Sequence, residues 1–105
     1  MKKVRRGRLR GASAAPAAGE RTEPIAQIGA VAVEQILSGD IEPVDYDEAE
    51  DEFALVLAGG AVLDVDGERV ELTTNDWIVL PAHTPHRLVQ TEPGTSWLTV
   101  KVARE

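Results

Sequence analysis

From Ile25 onward the chain is cut into short apolar runs by glycine, proline, aspartate and asparagine, and none of the runs has the length of an amphipathic helix. That punctuation restricts the fold more than any other feature, because runs of about four to eight residues bounded by turn formers read as strands. The predicted strands are Ile25–Ile28, Val31–Leu37, Phe53–Ala58, Ala61–Val65, Arg69–Leu72, Trp77–Leu80, Arg87–Thr91 and Trp97–Val102. Asp66-Gly67 is the strongest hairpin signal, since both residues tolerate the left-handed backbone that a two-residue turn demands. Gly59-Gly60 reads as a second tight turn between antiparallel strands, and Pro43 marks an edge or a strand start. The outcome is an all-β domain, and closing the sheet into a barrel would remove its exposed edges.

Residues 1–22 are of a different kind. They are basic, then rich in alanine, glycine, serine and proline, with Val4 and Leu9 as the only large aliphatic side chains. So little apolar surface cannot offset the entropy of ordering, so the stretch is expected to be a flexible, disordered tail, with residues 23–105 forming the domain. The charges divide along the same line. Six of the eleven basic residues fall in the first ten positions, leaving five basic residues against eighteen acidic ones beyond them. A domain that acidic repels phosphate backbones, which argues against nucleic acid as its partner. Cations and neutral or basic small molecules suit it better. Arg5 and Arg6 form a twin-arginine pair, but no hydrophobic segment follows them, and no run approaches the roughly 20 apolar residues of a membrane-spanning helix. The expectation is a cytoplasmic protein with no membrane partner. With no cysteine, an aliphatic core has to hold the domain together.

The stretch Asn75–Gln90 resembles the second motif of the cupins: glycine, five residues, proline, one residue, glycine, two residues, histidine, three residues, asparagine. Pro81 and His86 occupy their places, whereas Asn75, His83 and Gln90 stand for the two glycines and the asparagine. The first cupin motif places a His-x-His pair three or four residues before a glutamate and a glycine seven residues after it. Glu52 and Gly59 fit, with Tyr46 and Glu48 standing where the histidines belong. The acidic run from Asp45 and the later Pro81-Ala82, His86-Arg87 and Trp97-Leu98 pairs are similar to a group of small single-domain bacterial cupins. The resemblance implies a double-stranded β-helix (jelly-roll) barrel, and a homodimer formed through an edge strand is common among resembling proteins.

It also implies a pocket inside the barrel. In cupins, the histidines and glutamate hold a divalent metal such as iron, manganese, nickel or zinc, and the remaining set of Glu48, Glu52 and His86, with Tyr46 beside it, would favour manganese or iron over zinc. Even spacing puts Tyr46, Glu48 and Glu52 on one face if the pleat is unbroken, and Asp45 or Asp47 would serve after a one-residue shift. The alternative has no metal: Glu52 and His86 form a hydrogen-bonded pair capped by Tyr46, and Lys101 supplies the positive charge. Arg87 points away from His86 by alternation, and His83 lies in an exposed loop. A small-molecule ligand would meet Tyr46, Trp77, His86 and Trp97, whose aromatic rings offer pocket wall. Two functions stay open: a metal-dependent cupin enzyme of oxygenase or isomerase type, and a small-molecule-binding domain.

Overall fold

A computed structural model describes residues 3–104; Met1, Lys2 and Glu105, at the ends of the expected tail and domain, lie outside the described residues. Among the described residues there are nine strands, one 3-10 turn (Ala12–Ala14) and no α-helix, so no helix is long and apolar enough to cross a membrane. The strands are β1 (Glu20–Ile28), β2 (Val31–Ser38), β3 (Val44–Tyr46), β4 (Asp51–Ala58), β5 (Gly60–Val65), β6 (Glu68–Thr73), β7 (Trp77–Leu80), β8 (His86–Thr91) and β9 (Thr95–Val102). They form two antiparallel sheets, one in the order β1-β2-β9-β4-β7 and the other in the order β3-β8-β5-β6. This is the all-β domain that the runs and turns predict, arranged as the jelly-roll barrel that the resemblance implies.

Two local readings are corrected. The Asp66-Gly67 turn is a hairpin between β5 and β6, with both residues at positive φ (50° and 79°). Gly59-Gly60, however, joins no hairpin: β4 belongs to the first sheet and β5 to the second, and Gly60 pairs with Thr73 of β6. Gly59 (φ 92°) is where the chain crosses from one sheet to the other, and a Cβ there would lie 2.4 Å from Thr95 Oγ1. Thr95 is fully buried and its hydroxyl accepts from Gly60 N at 3.2 Å. Glycine is required by this close approach as well as by the backbone angle.

The tail boundary is the second correction. β1 opens at Glu20, three residues inside the span assigned to the tail, because Glu20 and Arg21 pair with Ser38 and Leu37. The segment before it is also tied down. Arg10 exchanges two backbone bonds with the Gln35 amide (2.8 and 2.9 Å), and Gly19 and Asp40 join through Gly19 N to Asp40 O at 2.7 Å. Composition hid this, since the bonds come from backbone groups that any residue supplies.

The barrel has a dry end and a polar end. On the inner face of the first sheet, the row Ile36–Trp97–Val56 is apolar, the next row Glu34–Thr99–Ala54–Ile78 is mixed, and the third sets Lys101 beside Glu52. Across from them, Leu63 pairs with Leu88, and His86 pairs with Tyr46. The buried cluster of Ala54, Val56, Ala61, Leu63, Leu72, Leu88 and Trp97 fills the dry end. The site therefore sits on top of the core.

The crossing predicts an asymmetry between two glycines. Gly67→Ala meets open space and bears only the left-handed backbone, a cost of about 1 kcal/mol. Gly59→Ala adds the collision with Thr95 and should cost roughly 3 kcal/mol. Urea unfolding of both variants measures the difference, and equal losses would refute the assigned role of Gly59.

Candidate functional site

The polar end opens into a cavity of about 450 Å³ between the sheets. Its walls are Glu20 and Thr22 of β1, Glu34 and Ile36 of β2, Tyr46 of β3, Glu52 and Ala54 of β4, Leu63 of β5, Ile78 and Leu80 of β7, His86 and Leu88 of β8, Trp97, Thr99 and Lys101 of β9, and Glu48 from the loop after β3. Tyr46, Glu48, Glu52, His86 and Trp97 are thus brought together as the sequence implied. The route differs, because the pleat is broken: β3 and β4 lie in different sheets, and residues 47–50 bridge them. Two contacts clip this bridge to the loop after β7. His83 N donates to Glu48 O (2.7 Å) and Ala82 N to Asp51 Oδ1 (2.8 Å). His83 takes the left-handed backbone (φ 59°) that the motif glycine would supply. Its side chain is exposed, 3.5 Å from Asp47.

Trp77 is not part of the cavity. It lies on the outer face of the first sheet, 61% exposed and stacked on Phe53, whereas Trp97 is 6% exposed and faces inward. The difference is one of strand parity: Trp77 pairs with the outward-facing Leu55, Trp97 with the inward-facing Val56. Asp45 also points outward, accepting two bonds from Arg87 (2.8 and 3.0 Å).

Inside, Lys101 Nζ lies 3.4 Å from Glu48 Oε1 and 3.9 Å from Glu34 Oε1. Burial acts to lower the lysine pKa, but attraction to Glu48 and Glu52 outweighs it, and the net effect is a rise. Glu52 sits next to Lys101 across the ladder without a hydrogen-bond partner. Its pKa is pushed up to about 7, by burial first and then by repulsion from Glu48, against the pull of Lys101. Glu48 Oε2 is buried and has no partner among the described residues. Glu20 is the contrast: its two oxygens accept from Ser38 Oγ (2.6 Å) and Tyr46 Oη (2.9 Å), and Ser38 Oγ in turn accepts from Trp97 Nε1 at 3.2 Å. Burial, then the Glu20 charge, lifts the Tyr46 phenol above its ordinary range, so it stays a donor.

Glu52 and His86 line one cavity without bonding each other. The His86 Nδ1 lies 2.9 Å from Thr84 O, and because a carbonyl only accepts, Nδ1 carries the hydrogen of this bond. The ring stacks on Tyr46, centroids 5.5 Å apart. Glu20 and Glu34 were missed by sequence reasoning. Glu34 was legible as the one charge in the run Val31–Leu37, at inward parity with Ile36, whereas Glu20 lay hidden in the tail.

The donor set does not fit a divalent ion. Among the described residues no three histidine, cysteine or carboxylate side chains converge as a metal would require. The Lys101 ammonium stands among the carboxylates that remain, and the cavity holds one imidazole.

The raised Glu52 pKa has a stability consequence. Between its unfolded value near 4.5 and its native value of about 7, the native chain holds a proton that the unfolded chain has released. Stability is therefore greatest below this window, falls as pH rises through it and levels off above. Urea titrations at a pH of about 5 and about 8 should show wild type losing on the order of 2 kcal/mol more than Glu52→Gln. Parallel pH dependence of the two proteins would contradict this assignment.

The pattern of the cupin domain family matches residues 32–100. No curated protein matches the sequence. Among solved structures, a candidate mannose-6-phosphate isomerase from Ralstonia eutropha JMP134 is similar at 26% identity and a TM-score of 0.77, over 93% of this chain and 100% of that one. A cupin superfamily protein from Desulfitobacterium hafniense DCB-2 shares 24% identity with a TM-score of 0.74, covering 98% of this chain and 97% of its own. KdgF from Halomonas sp. shares 20% identity with a TM-score of 0.74, covering 83% of this chain and 82% of its own. Both motif regions and the strands from β3 to β8 lie within the matched span, which takes in more than half of the sequence, and the chain belongs to the cupin domain family.

Proposed function

We propose that this cupin binds a small molecule in the cavity between its sheets, and that Lys101 provides there the positive charge for which a metal would otherwise be needed. The carrying observation is the cavity itself: about 450 Å³, apolar at its base and bearing a few convergent polar groups at its mouth. Ligand sites have this size and this division of labour, with apolar walls giving affinity and a few polar atoms fixing orientation. Trp97, Leu63, Leu88 and Ile78 supply the walls; Glu48, Glu52, His86 and Tyr46 supply the orientation.

The metal-dependent enzyme reading draws on the family and on the names of similar proteins. Against it stands the poor fit of the donor set. A phosphate ester such as mannose 6-phosphate is also disfavoured, since it would bring two negative charges to a cavity with four glutamates and one lysine.

Two measurements test the proposal. Untagged protein supplemented with manganese, iron, nickel or zinc should retain less than about a tenth of an equivalent after dialysis, because a formed site holds its ion tightly. A thermal-shift panel of metabolites should find a stabilising ligand, worth about 2.7 kcal/mol at a hundred times its dissociation constant. The His86→Ala and Glu52→Gln variants should lose that shift. Stoichiometric metal would overturn the lysine half of the proposal, and a panel without response would overturn the ligand half.

A further inference from the structure

The cavity is oversupplied with acceptors. Glu48 and Glu34 lie 3.4 and 3.9 Å from the single Lys101 ammonium and Glu52 is its neighbour across the ladder, while the charge of Glu20 is already taken up by the hydroxyls of Ser38 and Tyr46. Among the described residues, Glu48 Oε2 is buried with no hydrogen-bond partner, and the Glu52 carboxylate shares the cavity with it. A buried acceptor without a donor is costly, and a buried carboxylate without a counter-charge is costlier still. What the cavity lacks is therefore positive charge to match its carboxylates.

From this we infer that the ligand is a small organic cation, a primary ammonium or guanidinium group on a short apolar body. The inference rests on the cavity being a ligand site. The charged head would lie between Glu48 Oε2 and Glu52, and the body would run down onto Trp97 and Leu63. Anions are excluded by the same balance, because the one cation they would need is held by Glu48. Neutral polyols bring donors but leave the excess negative charge uncompensated. The rising pKa of Glu52 is a second sign of that excess, since repulsion from Glu48 contributes to it and a bound cation would relieve it.

The two tryptophans make the test local. Trp97 lines the cavity and Trp77 is on the outside of the barrel, so the Trp97 indole N–H resonance reports binding and that of Trp77 is its control. The full chain would be titrated with n-butylamine and agmatine as cations and with n-butanol and xylitol as neutral counterparts. The cations should shift the Trp97 signal at concentrations at least tenfold lower than the neutral probes, with Trp77 unmoved. Glu52→Gln and Glu48→Gln should each weaken the cations about tenfold or more relative to n-butanol, and Lys101→Met, by freeing Glu48, should tighten them. Circular dichroism of each variant confirms the fold, and if Lys101→Met does not fold, the two glutamine variants decide alone. Neutral probes binding as well as the cations, or cation binding indifferent to both glutamine variants, would overturn the inference and leave the ligand site standing. If none of the four probes moves Trp97 and the metabolite panel is also silent, the ligand site itself is refuted.

Discussion

An ammonium group inside a barrel has to be matched by negative charge, and the open end of this molecule is arranged around that requirement. Lys101 projects inward because it shares the parity of Trp97 and Thr99 on β9, the strand that pairs with both β2 and β4. Its position fixes what its neighbours must be. Glu34 comes from β2 on one side and Glu52 from β4 on the other, and Glu48 reaches in from the bridge between the sheets. Three carboxylates for one ammonium overcompensate. Burial and mutual repulsion then hold Glu52 at the edge of ionisation near neutral pH.

Glu48 depends on backbone placed some distance away in sequence. The bridge carrying it is clipped to the loop after β7 by His83 N and Ala82 N, and His83 adopts a left-handed backbone to make its contact. Histidine tolerates this conformation better than branched residues do, which is how the chain dispenses with the motif glycine there. On the opposite wall, the chain of bonds from Trp97 through Ser38 and Glu20 to Tyr46 ties the dry end of one sheet to the mouth of the other. Every group in that chain is satisfied, so it is a rigid wall. Among the described residues the one buried side-chain atom without a partner, Glu48 Oε2, belongs to the same cavity.

Much of this was legible because strands announce themselves locally. Short apolar runs and turn chemistry located eight of the strands, and Asp66-Gly67 gave a hairpin whose turn is two adjacent residues. The failures share a cause as well. Gly59-Gly60 has the composition of a hairpin turn, but its conformation is set by Thr95, thirty-five residues away in the bond from Gly60 N. Glu20 and the segment before it are held by backbone bonds that composition does not record. Trp77 and Trp97 have the same residue type and similar neighbours, and only sheet register tells them apart.

That register also explains why a long apolar run did not specify which face was the core. Across the first sheet, the outward row Val33–Val100–Phe53–Val79 is as apolar as the inward row Ile36–Trp97–Val56, and Val79 remains 53% exposed. A sheet apolar on both sides gives no alternation of polarity to read, so parity cannot be assigned from sequence there. It can be assigned only where a charge interrupts the pattern. Glu34, Glu52 and Lys101 are those interruptions, one on each of three neighbouring strands, and all three point to the same face. Charges placed inward on adjacent strands of an otherwise apolar sheet are therefore the sequence trace of the polar site in this chain.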